Sequence, residues 1–349
     1  MKTRTILLTG GTGTLGKFLI QDILRTSARL ILLVRAETKD EANSRVKNIV
    51  NINDNLNRIK ILKSDLTRSD FGLSKEELYS LNKEITHILH AAASTRFNLP
   101  IDEARRNNVQ TTSNLLNFAS SCEQLERFGF VSSAFVAGKR KGLIKEEELK
   151  HDEGFLNTYE KSKYEAETLV RTYNRKISLT IFRPSLIITP YKKSGHSPVN
   201  ALTFGLFLTK KGFLPIIPGN EDDKVDIITG ELVSRTIIKL LLKEQLSFLT
   251  YHITSSLNSP KLSELVSIVE GQLGKRLTIK FCGDMDSFSS KLKSLTHFRP
   301  DLALIYKKVQ TFLPELAYPK TFDNKNLLQE LELNTFSNKS INTIKELLK

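Results

Sequence analysis

A glycine-rich segment near the start of the chain constrains the fold more than any other feature. Residues 7–16 read LLTGGTGTLG, between an apolar run and a stretch with apolar residues at helical spacing. The spacing Gly11-x-Gly13-x-x-Gly16 at such a strand–turn–helix junction is typical of a dinucleotide-binding site. The glycines permit a tight turn and the close approach of a pyrophosphate, which the free N–H groups of the helix N-terminus bind. An ordinary glycine-rich turn is the alternative.

Length and composition indicate one large domain or a two-part α/β protein, because 349 residues with 40% hydrophobic content provide an ample core. No run of about 18 uncharged apolar residues occurs, so we expect no membrane span. The strand pattern begins by Thr5, so we expect no signal peptide. Cys122 and Cys282 alone form neither a disulfide framework nor a metal site. We therefore expect a cytoplasmic protein without a metal.

The formal net charge of +14 favours anionic partners such as phosphorylated cofactors, coenzyme A esters or acidic carrier proteins. Charge that serves only solubility is an equally good explanation. The densest basic run, residues 139–141, is soon followed by the acidic run 146–148, which indicates a solvated loop rather than a nucleic-acid-binding surface. We expect no nucleic-acid partner, and a monomer and a homodimer are both open.

Six apolar runs alternate with helical patterns in the first part of the chain, at residues 6–8, 30–34, 59–62, 85–90, 127–131 and 179–183. This alternation predicts an α/β fold with a doubly wound parallel sheet of Rossmann type over residues 1–190. Residues 191–349 are predicted to form a smaller α/β substrate-binding part, with some segments returning to pack on the first part. Within it, residues 199–218 either line an apolar pocket or pack as core.

The end of the second predicted strand carries a basic residue where NAD-binding proteins have an acidic one. Arg35 lies 19 residues beyond Gly16, at the position where a carboxylate would bind the ribose 2′-hydroxyl of NAD. A guanidinium instead suits the 2′-phosphate of NADP, and Arg45 could assist it. The sequence therefore favours NADP, with a surface arginine at a strand end as the alternative.

Polar or small residues follow the third and fourth predicted strands. Asp65 could accept a hydrogen bond from an adenine amino group, or it could equally cap the next turn. After the fourth strand come three residues small enough for the backbone to lie against a flat or phosphorylated ligand: Ala91, Ala92 and Ala93. His90 is expected to be a buried strand-end histidine rather than a base. Two asparagines in the next helix, Asn107 and Asn108, indicate a local distortion or a polar contact.

A tyrosine–lysine pair is the candidate for proton transfer. Tyr159 and Lys163 are four residues apart and share one face of a predicted helix. A lysine near a phenol favours the phenolate and lowers the pKa of the tyrosine, which then exchanges protons near neutral pH. Ser133, at the carboxyl end of the fifth strand, could hold the reacting oxygen. Behind a dinucleotide motif, this combination is far more specific than the pair alone.

In this order, the motifs resemble those of an extended short-chain dehydrogenase/reductase over the first ~190 residues. They are the segments Thr9-Gly10-x-x-Gly13-x-x-Gly16, Asp65-Leu66, His90-Ala91-Ala92-Ala93, Asn108-Val109, Ser132-Ser133-Ala134-x-Val136-x-Gly138, Tyr159-x-x-x-Lys163 and Arg183-Pro184. Within that family, residues 32–36 and 182–185 resemble the branch of fatty acyl-CoA reductases and thioester reductase domains. Ser133 departs from that branch, which often has threonine there, while serine is common in sugar-nucleotide members.

The resemblance implies a role for each matched residue. Tyr159 is the acid/base, Lys163 lowers its pKa and holds the nicotinamide ribose, Ser133 rather than Ser132 binds the substrate oxygen, and Asn108 supports a proton relay or the local backbone. The implied contacts with NADP (NADPH) come from Gly10, Thr12, Gly13, Thr14, Leu15, Gly16, Arg35, Arg45, Asp65, Leu66, Ala91, Ala92, Ala93, Lys163, Pro184 and Ser185. Arg35 would bind the 2′-phosphate, Asp65 and Leu66 the adenine, and Pro184 with Ser185 the nicotinamide side.

The leading hypothesis is an NADPH-dependent reductase that transfers hydride to a carbonyl or an acyl thioester, carried by coenzyme A or a carrier protein. One alternative is an NAD(P)-dependent nucleotide-sugar epimerase or dehydratase, or a sterol-type dehydrogenase. A sugar-nucleotide enzyme would prefer a carboxylate where Arg35 stands. A non-catalytic dinucleotide-sensing protein is the third interpretation, and the Tyr159–Lys163 pair argues against it.

Overall fold

The computed structural model of the chain describes residues 4–49, 57–189, 201–336 and 339–348. The predicted boundary after residue 190 falls outside the described residues. The strands, in chain order, are β1 (Thr5–Thr9), β2 (Arg29–Val34), β3 (Ile59–Lys63), β4 (His87–His90), β5 (Arg127–Val131), β6 (Gly142–Ile144), β7 (Leu179–Pro184), β8 (Leu186–Ile188), β9 (Ile216–Ile217), β10 (Ile227–Thr229), β11 (Thr250–Ile253), β12 (Lys280–Phe281) and β13 (Lys320–Phe322).

Helices connect these strands. They are α1 (Thr14–Leu24), α2 (Lys39–Lys47), α3 (Lys75–Glu84), α4 (Ile101–Arg105), α5 (Thr111–Ala119), α6 (Thr158–Thr172), α7 (Ala201–Lys210), α8 (Gly230–Leu241), α9 (Leu262–Leu273), α10 (Met285–Phe298), α11 (Pro300–Val309), α12 (Lys325–Leu331) and α13 (Ser340–Leu347). A π-helical turn, Arg106–Gln110, joins α4 to α5, and short 3-10 helices span Ala134–Ala137, Ser256–Asn258 and Leu313–Ala317.

A seven-stranded parallel sheet forms the centre of the structure, in the order β11-β7-β5-β4-β1-β2-β3. It contains all six strands predicted from the apolar runs, so the predicted doubly wound α/β fold is confirmed. Helices cover both faces, which is why these strands are apolar on both sides. The strand order reverses between β1 and β4, and ligands bind at the carboxyl ends of the strands beside such a reversal.

The second half of the chain contributes directly to this sheet. β11 pairs with β7 at the edge, with Tyr251 and Ile253 fully buried. α8 packs against α1, where the Ser234 hydroxyl donates a 2.6 Å hydrogen bond to Asp22. Segments beyond residue 200 therefore complete the core of the first part, while the division at residue 190 stays a prediction.

The rest of the second half forms a smaller α/β part beside the carboxyl ends of the strands. Three two-stranded parallel pairs support it, β8 with β10, β9 with β12, and β6 with β13. Its apolar core joins α7 and α11 through Leu208, Leu302 and Val309. No helix among the described residues is both long enough and apolar enough to cross a membrane.

Truncation of a β11 side chain tests this arrangement. We expect Ile253→Ala to lower the free energy of unfolding by about 2–5 kcal/mol, because removal of buried methyl groups leaves a cavity. Leu257→Ala, at a position 74% exposed, should change it by less than about 0.5 kcal/mol. Urea denaturation measures both. Equal effects of the two substitutions would contradict the placement of β11 in the core.

Candidate active site

The glycine loop after β1 has the close packing that a dinucleotide site requires. Gly10 has a φ of +75°, and a Cβ atom on it would lie 2.6 Å from the backbone of Ala91. A Cβ atom on Gly16 would lie 2.1 Å from the carbonyl oxygen of Gly10. The turn is therefore made at Gly10, whereas Gly11 packs between Leu32 and Ile20 without a positive φ.

The far side of the same loop is open. Gly13 is exposed and precedes α1 as its N-cap without a side-chain capping bond. The first turn of α1, with Thr14 and Leu15, carries no acidic residue that would compete for its free N–H groups. Exposed glycine backbone, a helix N-terminus and no competing carboxylate fit a pyrophosphate. The residues present thus fit a bound dinucleotide.

Arg35 and Arg45 lie at the edge of this loop. Arg45 donates hydrogen bonds to the Arg35 carbonyl oxygen at 2.5 Å and to the Thr12 hydroxyl at 3.2 Å. It therefore joins the end of β2 to the glycine loop. Arg35 is exposed and near enough to Asp65 to contribute to the lowered pKa of that carboxyl group.

Asp65 adopts the turn-capping alternative. Its Oδ1 accepts hydrogen bonds from the backbone N–H of Thr67 at 3.0 Å and from the Thr67 hydroxyl at 2.7 Å. Burial alone would raise the pKa of Asp65, but the bonds from Thr67 outweigh it and the pKa is lowered. The carbonyl oxygen of Leu66 accepts a 2.9 Å bond from Asn114. The implied contact of both residues with adenine stays a prediction.

His90 and Asn108 belong to one buried network beneath the site. The His90 ring lies 2.7 Å from the Thr9 hydroxyl and 3.0 Å from the Thr112 hydroxyl. Burial lowers the pKa of His90 to about 3, so the ring is neutral and is the buried strand-end histidine that the sequence indicates.

Asn108 lies in the π-helical turn between α4 and α5, so the distortion expected from Asn107 and Asn108 is present. Its amide nitrogen donates to the Ser94 carbonyl at 3.1 Å and to the Ser162 hydroxyl at 2.9 Å. Its amide oxygen accepts from the Ser94 backbone N–H at 2.7 Å. Asn108 thus fixes the loop after β4 against α6, the helix that carries Tyr159.

Ser133 and Tyr159 meet above the end of β5. The Ser133 hydroxyl lies close enough to the Tyr159 phenol to influence its pKa, and it accepts a 3.2 Å bond from the backbone N–H of Phe135. The neighbouring Ser132 hydroxyl points elsewhere and donates a 2.7 Å bond to Glu167. The geometry therefore favours Ser133 over Ser132 as the partner of Tyr159, as the resemblance implies.

The expected lowering of the tyrosine pKa is absent. Burial raises the pKa of Tyr159, and the nearby Ser133 hydroxyl only partly offsets it. The Lys163 ammonium instead donates a 2.8 Å bond to the carbonyl oxygen of Val131 and lies 4.3 Å from the centre of the Phe130 ring. Burial lowers the pKa of Lys163 to about 7 against the opposing charge of Glu167, which weakens any influence of Lys163 on the phenol.

A buried ion pair that sequence reasoning missed positions α6, the helix that carries Tyr159 and Lys163. Glu167 of α6 accepts bonds from Arg183 Nε at 2.9 Å and Nη2 at 2.6 Å, and both side chains are fully buried. Burial raises the pKa of Glu167, but the charge and bonds of Arg183 outweigh it and lower the pKa to about 2. The available signal was a glutamate four residues after Lys163, on the buried face of α6.

Pro184 and Ser185 lie at the carboxyl end of β7, on the same edge of the sheet as Ser133. Both are buried, and the Ser185 hydroxyl lies near the buried carboxylate of Asp226 but has no hydrogen-bond partner among the described residues. They therefore face the site from the strand beside β5. Their implied contact with the nicotinamide stays a prediction.

Tyr159 lines a cavity of about 140 Å³ between the sheet and the second half of the chain. Its ring centre lies 5.6 Å from that of Phe97. Most of the lining is apolar, including Phe135, Leu186, Leu206, Leu262, Leu265 and Phe312. The apolar stretch 199–218 does both things expected of it, since Leu206 lines the cavity and Leu208 packs in the core.

The sequence model of the male sterility protein family, an NAD-binding family, matches residues 8–237, from the glycine loop to α8. The chain belongs to the male sterility protein family. Membership makes it an oxidoreductase of a family that binds a nicotinamide dinucleotide, and the matched range contains Ser133, Tyr159 and Lys163. The resemblance to the fatty acyl-CoA reductase and thioester reductase branch is thereby confirmed.

Similar proteins agree with this assignment to the male sterility protein family. Fatty acyl-CoA reductase 2 of Mus musculus is 29% identical over 304 residues, which are 74% of this chain and 59% of that protein. "Fatty acyl-CoA reductase wat" of Drosophila melanogaster is 24% identical over 277 residues, or 68% and 54% of the two chains. The chain therefore spans little more than half the length of these relatives.

Solved structures share the whole fold. The terminal R domain from the myxalamid PKS-NRPS biosynthetic pathway has a TM-score of 0.82 and 25% identity, covering 100% of this chain and 90% of that one. UDP-glucuronic acid 4-epimerase from Bacillus cereus has a TM-score of 0.69 at 18% identity, covers 98% and 95% of the two chains, and shows likeness of fold alone.

The ion pair predicts the acid sensitivity of this family member. The pKa of Glu167 falls from 4.5 to about 2 on folding, so its stabilising contribution is complete above about pH 4.5 and is lost as the pH falls toward 2. Glu167→Gln should lower the free energy of unfolding near pH 7 by about 3–5 kcal/mol, because Arg183 is left buried and unpaired.

Urea denaturation across this pH range measures the effect. The difference in stability between wild type and Glu167→Gln should shrink below pH 4.5. Glu165→Gln, on the same helix in a partly exposed pair with Arg105, is the control and should change stability by about 1 kcal/mol or less. A difference that is independent of pH would contradict the assigned ion pair.

Proposed function

We propose that this protein is an NADPH-dependent reductase of acyl thioesters carried by coenzyme A or a carrier protein. The observation that carries the proposal is Tyr159, with Ser133 beside it, in the wall of an apolar cavity. Apolar cavities with a few polar groups at one point bind extended apolar ligands and orient their reactive end. The names of the relatives, fatty acyl-CoA reductases, support the same substrate class.

The chain's own residues supply proton transfer and orientation. The Ser133 hydroxyl and the Tyr159 phenol bind the carbonyl oxygen of the substrate, and NADPH when bound supplies the hydride that reduces the carbonyl carbon. The raised pKa of Tyr159 keeps the phenol protonated, which is the form that a reductase needs in order to donate a proton. With a thioester, the tetrahedral product then expels the thiol and leaves an aldehyde.

The proposed preference for NADPH rests on the contact between the end of β2 and the glycine loop, which the hydrogen bonds of Arg45 join. Arg35 is exposed beside this loop, so its guanidinium is free to bind a 2′-phosphate bidentately. Arg35 itself holds the position, at the end of β2, where an NAD-binding protein has its ribose-binding acid. A charge of +14 on the chain also suits phosphorylated cofactors and carriers.

Removal of the proton donor tests the mechanism. We expect Tyr159→Phe to lower kcat for acyl-CoA-dependent NADPH oxidation by roughly 10²–10⁴-fold, while the Kd for NADPH stays within a few-fold. Ser133→Ala should also lower kcat. Ser132→Ala, whose hydroxyl bonds Glu167 instead, should retain turnover in the folded protein. Unchanged turnover by Tyr159→Phe would refute the assigned role.

Cofactor choice is tested separately by titration of binding. Arg35→Ala should weaken NADPH binding by roughly 10–100-fold, because a charge-assisted bond to the 2′-phosphate is lost, and should leave NADH binding nearly unchanged. Arg25→Ala, an exposed arginine at the end of α1, is the matched control. A wild type that binds NADH as tightly as NADPH would overturn the proposed preference.

A further inference from the structure

The apolar cavity beside Tyr159 contains one buried charged pair. Lys320, at the start of β13, lines the cavity with a side chain only 3% exposed, and its ammonium bonds Glu315 Oε1 at 2.6 Å and the Tyr318 carbonyl oxygen at 2.9 Å. Glu315 lines the same cavity and is 23% exposed. A plain hydrocarbon chain offers no hydrogen-bond donor or acceptor to such a pair.

One acceptor of this pair is left over. Glu315 Oε2 is shielded from water and has no hydrogen-bond partner among the residues that the structure describes. The Lys320 ammonium has three N–H groups, and the two contacts above use two of them. A buried acceptor without a donor is unfavourable. Because the Glu315 side chain lines the cavity, a ligand that brings a donor to this carboxylate binds more tightly.

Glu160, another carboxylate of the cavity lining, is already engaged. Its two carboxylate oxygens accept bonds from the Leu156 backbone N–H at 3.0 Å and from the Asn157 side chain at 2.7 Å, which fixes the start of α6. Burial raises the pKa of Glu160 to about 8, and the nearby Glu315 carboxylate adds to the rise. Burial also raises the pKa of Glu315, against the charge and hydrogen bond of Lys320. Since both oxygens of Glu160 are engaged, Glu315 is the carboxylate that is left to meet a ligand.

We propose that Glu315 and Lys320 form a polar subsite that binds a hydroxyl group on the acyl chain, so that the preferred substrate is a hydroxylated acyl thioester. This inference rests on the proposed function. A hydroxyl both donates and accepts, and it can therefore donate to Glu315 while it accepts from Lys320. An ammonium group could serve only Glu315, and a plain alkyl chain would serve neither.

The energetics of a buried ion pair favour a role in substrate selection over a role in stabilising the fold. Replacement of a buried ion pair by apolar side chains of similar size is often neutral or stabilising. By contrast, a site built to bond a substrate hydroxyl rejects the analogue that lacks it strongly. Burial of the pair in an acyl cavity is thus energetically unfavourable unless a polar group on the ligand forms hydrogen bonds with it.

Matched acyl chains test the subsite. Dodecanoyl-CoA is compared with a series of monohydroxylated dodecanoyl-CoA thioesters in which the hydroxyl group is moved along the chain. We expect at least one hydroxylated isomer to exceed the plain chain in kcat/KM by roughly 10-fold or more. The double variant Glu315→Leu/Lys320→Met should reduce this ratio to near one or invert it. Glu123→Gln, a surface carboxylate far from the cavity lining, should leave it unchanged.

Calorimetric binding of the same thioesters to the wild type and the double variant separates the two proposals. Tighter binding of a hydroxylated chain that the double variant loses supports the subsite even if no thioester is reduced, in which case only the proposed function fails. Equal binding of all chains by the wild type overturns the subsite. If the double variant weakens all chains alike, the pair binds the carrier portion, and the proposal is wrong.

Thermal unfolding checks that the double variant is folded. Glu315→Gln provides a second variant that keeps the shape of the side chain and removes its charge. It should lower the preference for the hydroxylated chain by a smaller factor than the double variant does. An undiminished preference in both variants would refute the assignment.

Discussion

The buried ion pair between Arg183 and Glu167 is the interaction on which the active site depends. Glu167 belongs to α6, the helix that carries Tyr159 and Lys163, and Arg183 belongs to β7, two positions before Ser185. Glu167 also accepts the Ser132 hydroxyl, so the end of β5 is fixed against the same helix. Since a lone buried charge is very costly, neither residue can shift without the other. The hydroxyls of Ser133 and Tyr159 therefore stand on a rigid support.

The same arginine extends this support to the edge of the sheet. Its Nη1 donates to the Glu148 carbonyl oxygen at 2.9 Å and lies 3.2 Å from the His252 ring of β11. Glu146 then accepts the backbone N–H groups of His252 at 2.8 Å and Asn326 at 2.6 Å. One hydrogen-bonded network thus joins α6, the edge strand β11 and the start of α12.

Sequence patterns predicted the secondary structure and the short motifs, and they missed the contacts between residues that are distant along the chain. Apolar runs and glycine spacing predicted the sheet and the nucleotide loop, and the four-residue spacing placed Tyr159 and Lys163 on one helix face. Tyr159 and Glu315 were beyond such reasoning, because more than a hundred residues separate them and only the fold brings both to one cavity. The pKa of Tyr159 was predicted in the wrong direction, since burial cannot be read from spacing.

The position of β11 in the sheet has a consequence for synthesis of the protein. β7 lies between β5 and β11, so its outer edge exposes unpaired backbone groups until residues 250–253 have left the ribosome. An uncovered strand edge is a template for pairing with other chains. The nascent nucleotide-binding half is therefore exposed to aggregation for the whole time needed to translate the intervening segment. Slow translation of that segment prolongs the hazard, and a chaperone that covers the edge of β7 relieves it.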